Sequence, residues 1–194
     1  KMQYVGGFFN LLNPYALLVG FTGLFLLAQH GAAWLAVKTT GELHARALCY
    51  RRATFWIFVA LAVATSAATI AGVSRAADNV FGRPLGWVAL AVLVAGLLYT
   101  IRQMMKTGGE LRSFIGSAIV IVGLAGIAAV GNFPEIVPAR GTPPSTSLTV
   151  ERAASGHLTL LVMLILAVVF VPLVLVYTVL VYRTFSGKTT AGDA

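Results

Sequence analysis

Residues 158–182 read LTLLVMLILAVVFVPLVLVYTVLVY and contain no charged side chain. About 20 consecutive apolar residues let a helix cross the hydrocarbon core of a bilayer. The stretch therefore predicts a transmembrane helix from Leu158 to Tyr182. Pro172 lies inside it, and because proline lacks a backbone N–H, we expect the carbonyl of Val168 to be freed and the helix to kink.

Four further uncharged runs of similar length precede this one. The chain is 58% hydrophobic and 10% charged, which is more apolar than a soluble domain. The sequence predicts an all-α, polytopic membrane helix bundle of about five transmembrane helices in a single domain, 1–194, arranged as four helices plus one. The other four predicted spans are Pro14–Val37, Ala53–Val73, Pro84–Ile101 and Ser113–Phe133.

The charged residues lie between the predicted spans and differ in balance on the two sides. One side holds nine basic residues against three acidic ones, and the other holds five against three. The positive-inside rule therefore predicts an outer N-terminus and a cytoplasmic C-terminus. Basic residues at the ends of apolar runs are typical of orientation signals and lipid contacts, so we expect no nucleic-acid partner.

The stretch HGAAWLAVKTTGELHARA, residues 30–47, passes from apolar to charged without a proline. Trp34 fits an interfacial anchor, and Lys38 can reach the headgroups. Glu42 and Arg46 form a favourable i,i+4 pair on a helix. We expect the first helix to continue past the membrane through this pair. Two later connections are predicted to be non-helical: a tight turn at Lys106–Leu111 and an irregular cap at Phe133–His157.

Small residues recur along the predicted helices at spacings that bring them onto one face. Such faces let helix backbones approach closely in a membrane. They predict helix–helix contacts, and they carry no information about chemistry. The residues are Ala16 and Gly20 in the first span, Ala60, Ala64, Ala68 and Gly72 in the second, and Gly116 and Gly123 in the fourth.

The ionisable residues offer little for catalysis. All carboxylates lie outside the predicted spans, whereas proton and ion transporters usually place an acid at membrane depth. They are Glu42, Asp78, Glu110, Glu135, Glu151 and Asp193. No nucleophile elbow or phosphate-binding loop occurs. Cys49 is the single cysteine and cannot form an internal disulfide.

Histidine is a common axial ligand of b-type haem. The chain has three histidines, of which His30 lies within the first span, His44 follows it, and His157 precedes the fifth. His30 with Met104 or Met105 is a conceivable ligand pair, but an ordinary hydrogen-bonded imidazole is the favoured interpretation. We therefore predict no catalytic residue and no metal ligand, and assign no cofactor-binding residue.

Several stretches, in the same order, resemble subunit II of cytochrome bd-type quinol oxidases. The resemblance covers nearly the whole chain but only the C-terminal half of that subunit. It implies a fragment or split half whose other half carries the family's intramembrane acids. The stretches are GGFFNLLNPYALLVG (6–20), HGAAWLAVKTTGELHARA (30–47), FP (133–134), STSLT (145–149) and LTLLVMLILAVVFVPLVLVYTVLVYRTFSGK (158–188).

The resemblance implies a complex that oxidises membrane quinol and reduces dioxygen to water, with haem b and haem d. It places the haem ligands and the quinol-oxidising loop in subunit I, so this chain is expected to be a structural, haem-free partner. The implied partners are subunit I, the N-terminal half of subunit II, small single-helix subunits, membrane lipid and, in some members, a structural quinone. Two alternatives stay open: half of a dimeric membrane transporter, and a small b-type cytochrome using His30.

Overall fold

The computed structural model describes residues 13–106, 108–137, 147–185 and 187–188. These residues form two compact units: the first extends to Gly131, and the second runs from Asn132 to Lys188. Within the described residues, five helices are long and apolar enough to cross a membrane, which confirms the all-α polytopic bundle. They are α1 (Pro14–Lys38), α2 (Gly41–Gly72), α4 (Pro84–Met104), α5 (Glu110–Asn132) and α7 (His157–Thr184), with a short α3 (Ser74–Phe81) between α2 and α4.

Helix α1 does not continue through the Glu42–Arg46 pair, so that prediction was wrong. Helix α1 ends at Lys38 because Thr39 turns extended and donates both its backbone N–H and its hydroxyl to the carbonyl of Leu35. Gly41 has a φ of 67°, which favours glycine, and opens a new helix. The Glu42–Arg46 pair forms as predicted, at 2.8 Å, but within α2.

Helix α2 begins well before the predicted Ala53. Its buried residues Ala47, Arg51, Phe55 and Phe58 follow one another at helical spacing, and α2 packs along α1. Burial of these residues stabilises a helix over the stretch before Ala53, which the charged residues had indicated to be a loop. The other spans agree with their predicted bounds to within about three residues.

Glycines hold α4 and α5 close together. A Cβ added at Gly116 would lie 2.5 Å from the Thr100 hydroxyl, and one at Gly123 would lie 2.6 Å from the Leu93 amide nitrogen. A Cβ added at Gly96 of α4 would likewise lie 2.9 Å from the Val120 amide nitrogen of α5. The small-residue contact predicted for the fourth span is therefore confirmed.

The small-residue faces of the first two spans contact nothing in the same way. Ala16, Gly20, Ala60, Ala64 and Gly72 are exposed, and Ala68 is half-buried. Larger residues make the core instead: Leu26 of α1, Phe58 of α2 and Val120 of α5 form its buried centre. The prediction of helix contacts at these faces is wrong among the described residues.

The second unit contains a two-stranded antiparallel sheet and two helices. Strand β1 (Glu135–Val137) pairs with β2 (Leu148–Thr149), and a short helix α6 (Val150–Ala153) follows. The predicted irregular cap is thus partly ordered, and its centre, 138–146, lies outside the described residues. Helix α7 contains Pro172 without a break, and none of its residues is buried by the described part of the chain.

Candidate functional site

Polar side chains tie α1 to α2 inside the first unit. The hydroxyls of Thr22 and Thr65 lie 2.7 Å apart, and those of Tyr15 and Thr69 lie 3.0 Å apart. Hydrogen bonds between helices are a common means of association in membranes. These side chains serve packing, because each is satisfied by the neighbouring helix.

His30 of α1 contacts α5. Its Nδ1 lies 2.7 Å from the Ser117 hydroxyl, and its ring stacks on Phe114 with the centroids 4.4 Å apart. The Ser117 hydroxyl donates its one proton to the carbonyl of Phe114, so it accepts from Nδ1–H of His30. The favoured interpretation, a hydrogen-bonded intramembrane imidazole, matches this geometry.

His30 and the two methionines are not brought together as a haem-ligand pair. Met104 and Met105 line a groove of about 700 Å³ at one end of the bundle, and His30 does not line it. Within the described ranges, no group of three or more His, Cys, Asp or Glu could hold a metal ion.

The groove, hereafter the basic groove, is the most distinctive polar site of the first unit. It lies where α2 and α5 begin and α4 ends, and it contains three permanent cations, one carboxylate and a histidine. Its lining residues are His44, Leu48, Cys49, Arg51, Arg52, Ala53, Trp56, Met104, Met105, Lys106 and Glu110.

The carboxylate and the histidine of the basic groove face each other. His44 Nδ1 lies 2.9 Å from the Ala36 carbonyl oxygen, and because a carbonyl oxygen only accepts, the Nδ1–H group donates this hydrogen bond. Its Nε2 lies 3.8 Å from Glu110. Glu110 is the one carboxylate in the lining, so the groove carries a net positive charge.

Arg51 is the residue that the sequence-based reasoning missed. It was predicted to be a loop cation, yet only 5% of it is exposed. Its Nε and Nη1 are buried and find no acceptor among the described residues. A buried cation without a full set of acceptors is costly, and it marks a place where an anion is expected. The available signal was the Arg51–Arg52 pair directly before an apolar run.

The fold and site define a polytopic helical membrane protein whose helices pair through hydroxyl groups and His30, with a basic groove at one end of the first unit. The sequence matches the family described as cytochrome bd terminal oxidase subunit II over residues 1–185. The chain therefore belongs to that family, as its motifs predicted.

Relatives with curated names agree with the family. A "probable cytochrome oxidase subunit 2" of Haemophilus influenzae is 32% identical over 88% of this chain and 51% of its own length. The "cytochrome bd-I ubiquinol oxidase subunit 2" of Escherichia coli K12 is 30% identical over 89% of this chain and 52% of its own length. The "cytochrome bd ubiquinol oxidase subunit 2" of Bacillus subtilis is 27% identical over 84% of this chain and 47% of its own length. The chain spans about half the length of the curated relatives it matches.

Proposed function

We propose that this chain is a structural, haem-free part of subunit II in a bd-type quinol:dioxygen oxidoreductase. The family match over residues 1–185 carries the proposal. The hydrogen bonds of the described interior agree with a structural role, since His30 bonds Ser117 and Thr22 bonds Thr65 between helices. Haems b and d in the partner subunit would carry electrons from quinol to dioxygen.

The proposed partner is the haem-bearing subunit I, together with the rest of subunit II and small single-helix subunits. Most exposed residues of the five long helices are apolar, as expected for surfaces that face lipid or other helices. We place the complex in the bacterial or archaeal plasma membrane, with the N-terminus outside and the C-terminus in the cytoplasm. The excess of basic residues on one side supports this orientation.

The first test is a reduced-minus-oxidised visible spectrum of the native assembly, purified gently through a tag on this chain, with subunit masses from the same sample. The proposal expects haem b and haem d bands and a larger haem-bearing subunit. A colourless assembly of this chain alone, from cells well supplied with haem, would contradict it. Substrate-dependent flux by that assembly in liposomes would instead support the transporter alternative.

A variant spectrum tests whether the chain itself is haem-free. His30→Ala removes the only histidine within helix α1, and Ser117→Ala is the matched control because it removes only the hydrogen-bond partner of His30. We expect unchanged band positions and haem content per complex in both. Loss of one haem band in His30→Ala, with all bands kept in Ser117→Ala, would assign a haem to this chain and overturn that part of the proposal.

A further inference from the structure

The cations of the basic groove lie at the polar end of two apolar helices. Arg51 and Arg52 directly precede the apolar part of α2, and Lys106 follows the end of α4. Arg51 is buried with two nitrogens that lack an acceptor among the described residues, while Arg52 and Lys106 are exposed on the groove wall. The groove therefore offers one desolvated cation and two accessible ones to an anion at headgroup level.

An apolar groove continues from the basic one. It has a volume of about 300 Å³, and it shares Arg52, Trp56, Met104 and Met105 with the basic groove. It adds Phe55, which lies three residues beyond Arg52 in α2, and Ile101, which lies three residues before Met104 in α4. Charge at one end and an apolar channel leading into the span match the two parts of a phospholipid.

We propose that the basic groove binds the headgroup phosphate of an anionic phospholipid, with an acyl chain in the adjoining apolar groove. Basic pockets between transmembrane helices suit anionic lipid headgroups, and guanidinium groups bind phosphate oxygens with strong, charge-assisted hydrogen bonds. Glu110 interacts electrostatically with Arg51 and offsets one of the three cations, so the basic groove keeps a net positive charge for the ligand. The inference is independent of the oxidase assignment, because it uses only the chain's own residues.

The test uses the whole assembly isolated through this chain, in detergent, with phosphatidylglycerol and phosphatidylcholine titrated separately and counted by native mass spectrometry. The test variant is Arg52→Gln with Lys106→Gln, since both side chains are exposed and their loss leaves the core intact. The matched control is Arg102→Gln with Arg112→Gln, which removes two exposed cations at the same end of the bundle but outside the groove lining.

We expect phosphatidylglycerol to bind the wild-type assembly more tightly than phosphatidylcholine. Each basic side chain near a lipid headgroup contributes roughly fivefold to binding, so the test variant should lose roughly 30-fold in affinity for phosphatidylglycerol. The control variant should stay within about twofold of wild type. Thermal midpoints of the assembly should rise with phosphatidylglycerol in wild type and control, and not in the test variant.

Four results would overturn the proposal. The first is equal affinity of the wild-type assembly for both lipids. The second is an equal loss in both double variants, since a general surface field would then explain binding. The third is displacement of the lipid by millimolar inorganic phosphate but not by chloride at equal ionic strength, which would make free phosphate the ligand. The fourth is unchanged lipid binding with loss of a co-purifying subunit from the test variant alone, which would make a partner protein the occupant.

Discussion

Replacing Gly123 with alanine should separate α4 from α5. The added Cβ would lie 2.6 Å from the nitrogen and 2.7 Å from the Cα of Leu93. Both are backbone atoms of a packed helix, so no side-chain rotation relieves the overlap. Ordinary contact begins near 3.4 Å, so the helices must move apart locally by about 0.8 Å.

The size of the effect follows from that displacement. A gap of 0.5–1 Å removes roughly a quarter to a half of the dispersion energy of the contacts concerned. Forcing an extra methyl group into a packed interface typically costs about 1–3 kcal/mol. For a chain of this length, each 1 kcal/mol lowers the thermal midpoint by about 2–4 °C, so Gly123→Ala should lower it by roughly 2–12 °C.

The assay is thermal unfolding of the detergent-solubilised assembly at one fixed heating rate, followed by loss of the monodisperse peak in size-exclusion chromatography. Gly20→Ala is the matched control, because a Cβ at that helical glycine meets nothing within 4 Å. Gly126→Ala should fall between them, since its Cβ would lie 3.2 Å from the Ala89 Cβ, which is a smaller overlap. Equal midpoints for Gly123→Ala and Gly20→Ala would refute the close approach of α4 and α5.

Three further outcomes can be checked on the same assembly. Ser117→Ala should destabilise it by about 1 kcal/mol, because the Nδ1–H of the half-buried His30 loses its acceptor. Thr22→Val and Thr65→Val should show a coupling energy of about 0.6 kcal/mol in a double-mutant cycle, as is typical of hydrogen bonds between membrane helices. A green fluorescent protein fused after the last residue should fluoresce, because the basic excess predicts a cytoplasmic C-terminus.

Controls separate these effects from general loss of polarity. Ser66→Ala removes a hydroxyl that is exposed and bonded only within its own helix, to the Ala62 carbonyl, so it should change the free energy of unfolding by less than about 0.5 kcal/mol. If Ser117→Ala has no larger effect than Ser66→Ala, a stabilising hydrogen bond between His30 and Ser117 is refuted. A coupling energy of zero would refute the Thr22–Thr65 contact, and a dark but expressed fusion would reverse the predicted topology.

The sequence by itself determined the class of protein and the helices. A bilayer core offers no hydrogen-bond partners, so an uncharged run such as Leu158–Tyr182 must satisfy its backbone internally, and a helix is the simplest way to do so. That constraint is local, and the helix ends agree with the predictions where Asn13, Pro14 and Pro84 mark them. The family motifs depend only on which residues occur and in what order. The sequence alone therefore predicts the family, without knowledge of any contact.

Only the tertiary structure decided which faces and which polar residues matter. Gly116 and Ala60 belong to similar small-residue patterns, but only the first meets a neighbouring helix. The sequence marks Arg51 as a loop cation, but in the fold it lies within α2, buried beside the end of α4 and the start of α5. Likewise, His30 finds Ser117 only when α1 and α5 come together. In a membrane every helix is apolar on most sides, so hydrophobic patterning does not select partners, and the selection rests on close packing and on a few polar contacts between distant residues.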